Sequence, residues 1–254
     1  MALTSAAALS FAGCAAVAFS PAIVLFVMVV GRQPDLVIVL VGSAFVWLLS
    51  ISLVAFVWVV LAPLKSQLWL VVLYGAVVQE AARWLTYQMH ARLIRGLKAA
   101  GLQAIPASRL AGPLGLTPAA VANGLGIGVV QTLVLHGDVL GRALLPGSLY
   151  TVSCTHLSVF SVSALCSLGM LITNVLLSIV GWTVAYPLRS RRFIGAMVLL
   201  HALASGATLL NSPALIATDG CTVALPVQLG AVLLTAGFTA RLALVGGVKT
   251  ESKS

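Results

Sequence analysis

In the stretch "VVQEAARWLTY", Glu80 and Arg83 stand three residues apart inside an apolar run, with Gln79 beside them. On a helix that spacing sets the carboxylate and the guanidinium on one face, where they pair and offset each other's charge. Such a pair serves either an ion pathway or a structural contact. The structural contact is the expectation here, near the end of its helix, where Arg83 can also extend toward the membrane surface. A second ionisable group, His201 in "VLLHALASGATLLN", also lies within an apolar run. A neutral imidazole there can hydrogen-bond to Asn174 or Ser178 on the preceding run and hold two helices at a fixed separation. Nucleophilic catalysis fits poorly. An intramembrane serine protease needs Gly-x-Ser-Gly and a histidine on another helix, whereas Ser205-Gly206 follows Leu203-Ala204, and His201 is one turn earlier on the same helix.

The glycine cluster "NGLGIGVVQT" poses a different question, because glycines at this density either cradle a phosphate or let helices touch. Gly128 is followed by Val129 and Val130 rather than the Lys-Ser/Thr of a Walker loop, and the third glycine comes one position early for a dinucleotide fingerprint. Phosphate binding is excluded on both counts. Gly124, Gly128 and Thr132 recur every four residues, so small side chains line one helix face and a partner backbone can come close. Gly126 faces roughly the opposite way. Spacing alone leaves open whether this face packs within the chain or against another protein.

Hydrocarbon must surround these residues. Of 254 residues, 61% are hydrophobic and 7% charged, and the mean hydropathy is +1.13, far from a soluble domain. Apolar runs long enough to cross a bilayer fall near 6–30, 36–61, 67–90, 118–136, 157–186, 193–211 and 223–244. No strand-like alternation suggests a barrel, so each run is a helix that satisfies its own backbone. The expectation is an all-α membrane protein, a seven-transmembrane-helix bundle in one domain over 1–247, with a short polar tail at 248–254 that is disordered. The segment 92–117 reads as a basic connecting tether, with a short interfacial helix as the alternative. The N-terminal run has no Lys or Arg ahead of it and reads as a retained first helix, not a signal peptide.

Seven crossings separate the termini, and basic residues choose the sides. Arg32, Arg92, Arg95, Lys98, Arg109, Arg189, Arg191, Arg192, Arg241, Lys249 and Lys253 fall on one face, against Lys65 and Arg142 on the other. The expected orientation has the N-terminus lumenal or extracellular and the C-terminus cytosolic. The net charge of +9 thus reads as topology and contact with anionic lipid, and nucleic-acid binding is not expected. Cys154 and Cys221 sit near the lumenal edge and can bond in an oxidising compartment or act as small apolar packing residues. No spacing of Cys and His suggests a metal, and no cofactor pattern is present.

These landmarks together resemble a known family. The opening "FAGCAAVAFSPAIVLFVMVVGRQPDLVIVLVGSAFVWLLSISLVAFVWVV", then "VVQEAARWLTY", the Gly124/Gly128 face and "RRFIGAMVLLHALASGATLLN" are similar, in that order, to the anterior-pharynx-defective family, a subunit of gamma-secretase. The resemblance spans Phe11 to Asn211 and implies a non-catalytic scaffold that binds nicastrin-like, presenilin-like and presenilin-enhancer-like subunits, in endoplasmic reticulum, Golgi and later secretory or endosomal membranes. It implies support for intramembrane cleavage of single-span proteins, as in Notch signalling, with the catalytic aspartates in the presenilin-like partner. It further implies that the fourth-helix glycine face supports assembly, with Thr132 in place of a third glycine. Of two family histidines, His201 matches the sixth-helix one; the fifth-helix position holds Asn174, or Ser178 if the gap is placed differently, and neither titrates near neutrality. The rival expectation is a small transporter or channel with Glu80, Arg83, Asn123, Gln131 and His201 along a polar path.

Overall fold

The computed structural model describes residues 5–61, 67–101, 113–142, 154–211, 215–216 and 219–251. Seven helices are long and apolar enough to cross a membrane. They are α1 (Ser5–Leu25, continuing as one π turn over Phe26–Val30), α2 (Pro34–Val60), α3 (Leu68–Ala99), α4 (Pro113–Arg142), α5 (Val159–Val180, continuing as a π turn over Gly181–Ala185), α6 (Arg191–Leu209) and α7 (Gly220–Glu251). Their local starts follow from the sequence. Pro34 opens α2, where its missing N–H costs no helical bond. Ser158 caps α5 by accepting the Ser161 backbone N–H at 3.1 Å.

Two ends differ from expectation. The stretch 92–99, expected to be part of a loop, continues α3, because exposed polar residues such as Arg92 and Arg95 are good helix formers. The chain turns only at Gly101, whose φ of +69° is open to glycine at no cost. At the C-terminus α7 runs to Glu251, so most of the segment expected to be a disordered tail is helical, its polarity being no obstacle to helix outside the membrane. Residues 252–254, and 102–112 of the expected tether, lie outside the described residues.

A bundle in lipid gains little by hiding apolar side chains, so close packing and hydrogen bonds decide which helices meet. About two-thirds of the membrane window is buried in α4 and in α5 (67% each), against 17–28% in the others. α4 and α5 make the most extensive contact, and α2 packs on the other side of α4. Every residue from Ala119 to Gly128 is buried, so α4 is enclosed on all sides there. α1, α2, α3, α6 and α7 surround this pair and leave rows of exposed apolar residues, such as Ile38, Phe45 and Phe56 on α2.

Glycines set the two closest approaches to α4. A Cβ on Gly124 would stand 2.5 Å from Val175 Cα, 2.8 Å from the Asn174 carbonyl oxygen and 3.0 Å from Ser178 Cβ, all on α5. On the opposite face, a Cβ on Gly126 would meet the Leu40 carbonyl of α2. Gly128 is looser, at 3.2 Å from Leu171 Cα, and Thr132 donates to the Ser167 carbonyl at 3.4 Å. The Gly124, Gly128 and Thr132 face is therefore filled by α5 of the same chain.

Candidate functional site

The buried polar residues converge on one place beside that contact. Arg83 is wholly buried, with its Nε 3.2 and 3.3 Å from the two Glu80 carboxylate oxygens, so the expected pair forms. The remaining guanidinium nitrogens reach across to α5. Nη1 donates to the Asn174 carbonyl at 2.9 Å and to the Ser178 hydroxyl, and Nη2 donates to Asn174 Oδ1 at 2.8 Å. The extension of Arg83 toward the membrane surface does not occur: five acceptor atoms inside the bundle hold it, and a guanidinium stays in a low-dielectric site only when so satisfied.

His201 is placed differently from expectation. Its Nδ1 lies 2.7 Å from Glu80 Oε1 on α3, not on Asn174 or Ser178, whose acceptor groups are taken by Arg83. The hydrogen-bond pattern assigns the proton to Nδ1, which donates to the carboxylate, and Nε2 has no partner. Glu80 thus accepts from two cationic or dipolar donors on α3 and α6. Gln79 turns away from this cluster and accepts from Trp47 Nε1 of α2 at 3.3 Å.

Further bonds carry the cluster into α4 and α2. Asn174 Nδ2 donates to Gln131 Oε1 at 2.7 Å, and Ser178 donates to Asn123 Oδ1 at 3.0 Å. Asn123 Nδ2 in turn reaches Thr86 Oγ1 at 2.8 Å and Ser43 Oγ at 3.0 Å. One network thereby joins five helices, α2 to α6, through side chains that are all at least nine-tenths buried. Ser43 and Thr86 were not among the expected residues, although each sits at helical spacing from another polar residue: Ser43 with Trp47 and Ser50, and Thr86 with Glu80 and Arg83. His136, also fully buried and also outside the expected set, pairs through Nδ1 with Ser163 at 3.0 Å; it is the last residue of the fourth apolar run, where a polar side chain reads as a helix end.

The opposite end of the bundle is tied covalently. Cys154 and Cys221 form a disulfide with Cα atoms 5.5 Å apart, which decides between the two readings of these cysteines. Beside it, Thr155 donates to Asp219 at 3.2 Å, and His156 lies 3.9 Å from the same carboxylate. Among the described residues, no group of three His, Cys, Asp or Glu side chains is disposed to hold a metal ion.

An enclosed helix pair, a polar centre shared by five helices and seven bilayer-length segments define a polytopic helical membrane protein in which buried Arg83 and His201 both bond Glu80. Comparison with known proteins is specific. The chain belongs to the Aph-1 family, whose model, described as Aph-1 protein, matches residues 9–244. Among its relatives, the gamma-secretase subunit Aph-1 of Drosophila melanogaster is 30% identical, over 82% of this chain and 84% of that protein. The gamma-secretase subunit APH1-like of Arabidopsis thaliana is 28% identical, over 84% of each. The gamma-secretase subunit APH-1B of Homo sapiens is 29% identical over 54% of each chain.

Proposed function

We propose that this chain is a non-catalytic scaffold subunit of a gamma-secretase-type intramembrane protease. In that role it holds presenilin-like, nicastrin-like and presenilin-enhancer-like subunits together by helix packing, and so supports cleavage of single-span membrane proteins such as those of the Notch type. The family match across residues 9–244 carries this reading. The polar centre supports it: each Arg83 nitrogen and both Glu80 oxygens are engaged within the bundle, an arrangement suited to rigidity rather than to passing an ion. The N-terminus is assigned to the lumen and the C-terminus to the cytosol. That assignment rests on the basic residues at one end and on a disulfide at the other, where an oxidising compartment is required. The setting is the endoplasmic reticulum, Golgi and later secretory or endosomal membranes.

The glycine face enters this function indirectly. Because α5 fills it, Gly124, Gly128 and Thr132 act by setting the α4–α5 separation that brings Asn174 and Ser178 to Arg83. Partners then dock on the outer helices. The test is purification of the tagged native chain in mild detergent, with presenilin-like, nicastrin-like and presenilin-enhancer-like proteins expected in the eluate. Recovery of the chain alone, or ion flux through it in liposomes, would overturn the assignment.

A further inference from the structure

Next to the disulfide lies a cavity of about 220 Å³ that the scaffold role does not use. It is formed where α4, α5 and α6 end on the disulfide side. Leu135, Ser163, Cys166, Ser167, Thr208 and Asn211 line it together with Cys154 and two valines, and none of these residues is charged. Two of the lining residues carry a polar atom that is buried with no partner: the hydroxyl of Ser167, a fully buried residue, and the Oδ1 of Asn211. The rest of the polar wall is already engaged. Ser163 bonds His136, Thr208 donates to the Ser205 carbonyl, and Asn211 Nδ2 contacts the Cys166 sulfur at 3.7 Å. An unmet buried polar group is costly, so an occupant that met these two side chains as they turn into the cavity, donating to Asn211 and bonding Ser167, would be held there.

We propose that this cavity binds the hydroxyl of a neutral lipid, whose chain or ring system leaves past Leu135 into the bilayer. A hydroxyl both donates and accepts, which matches one amide oxygen and one serine O–H. An anion would face the Asn211 oxygen, and a cation would find no carboxylate among the lining residues. Depth agrees. Thr208 stands one residue before the end of α6 at Leu209, and Cys154 of the disulfide lines the same cavity, so the site is at the end of the bundle, where lipid hydroxyls reside. The route out agrees as well, because Leu135 lines the cavity yet is 42% exposed on the bundle surface. At this volume the cavity takes a head group and not a whole lipid.

Two sources share this chemistry, sterols and acylglycerols, and photoreactive analogues separate them. Each analogue is added to membranes holding the full chain, and the attachment site is mapped by mass spectrometry. Attachment of either at Leu135, Thr208 or the neighbouring valines supports the site and names the source. Ser167→Ala is expected to lower that attachment about fivefold, the weight of one hydrogen bond. Independently of that variant, alkylation of Cys166 in a Cys14→Ser background should slow when the same lipid is supplied. The proposal is overturned if neither analogue attaches in the cavity, or if Ser167→Ala attaches as the native chain does. It is equally overturned if Cys166 reacts at one rate with and without lipid, the result expected of a cavity filled by water alone.

Discussion

Replacing Gly124 by alanine adds one methyl group at the tightest α4–α5 crossing. That methyl would stand 2.5 Å from Val175 Cα, whereas carbon atoms rest at about 3.5–4.0 Å, so α5 must retreat by about 1 Å. Asn174 and Ser178 travel with it. The Arg83 Nη1 to Asn174 carbonyl distance of 2.9 Å would then open to about 3.9 Å, beyond hydrogen-bond range. Overpacking a fitted site costs about 1–3 kcal/mol, and loosening a bond to a charged donor costs about 1.5–3 kcal/mol more. The methyl at Gly128 meets nothing closer than 3.2 Å, and its small strain is offset by about 0.5–1 kcal/mol of gained helix propensity. Gly42 has nothing within 4 Å and serves as the unstrained control. Unfolding in mixed micelles, followed by the fluorescence of buried Trp47 and Trp182, should rank Gly42→Ala at or above native, Gly128→Ala near native and Gly124→Ala far below. Gly124→Ala should lose co-purifying partners in parallel with its stability. The reasoning is refuted if Gly124→Ala unfolds like the native chain yet loses its partners, for then the glycine would touch a partner and not α5.

The remaining expectations concern the polar centre, the disulfide and the orientation. Arg83→Met leaves Glu80 buried without its cation and should cost about 3–5 kcal/mol, whereas adding Glu80→Gln to it should recover part of the loss, a non-additivity that a double-mutant cycle reads directly. His201→Leu removes one donor from a carboxylate that keeps Arg83, so about 1–3 kcal/mol is expected, with His201→Gln retaining more of the native stability in the same unfolding assay. Cys154→Ser with Cys221→Ser opens a loop of 67 residues, worth at most about 4 kcal/mol by chain entropy. The check is whether reductant lowers the unfolding midpoint of the native chain but not of the double variant. Single cysteines placed at Leu188 and at His156, both exposed, should react with a membrane-impermeant thiol reagent from opposite sides, Leu188→Cys from the cytosol and His156→Cys from the lumen.

The fold was legible because hydrophobic run length is a direct reading of bilayer thickness, and all seven runs correspond to helices. Helix ends were less so, since apolar content stops at the interface while helix propensity does not: α3 continues through Arg92 and Arg95, and α7 through Lys249. Of the centre, the Glu80–Arg83 pair was readable because spacing on one helix fixes its geometry. The partner of His201 was not, for Glu80 is 121 residues away, and only the order in which helices pack around α4 brings α3 beside α6. The same holds for Asn123, whose links to Ser43 and Thr86 depend on α2 and α3 meeting the same turn of α4. Which residues are polar is written in the chain; which polar residue meets which is decided by glycines that set helix separations elsewhere.

That separation of roles explains why a scaffold in lipid would hide its most constrained contacts. In the proposed role, outer helices that meet partners must present apolar side chains to lipid before assembly and to protein after it, so they cannot turn unpaired polar groups outward. Rigidity must then come from within. In this chain it comes from a carboxylate, a guanidinium, an imidazole and two amides fixed between α3, α4, α5 and α6 at distances of 2.7 to 3.3 Å. Gly124 and Gly126 hold α5 and α2 against α4 so tightly that those distances can be met. A substitution at either glycine therefore reaches the partner-facing surface only by shifting whole helices, and its effect on assembly should track its effect on the core.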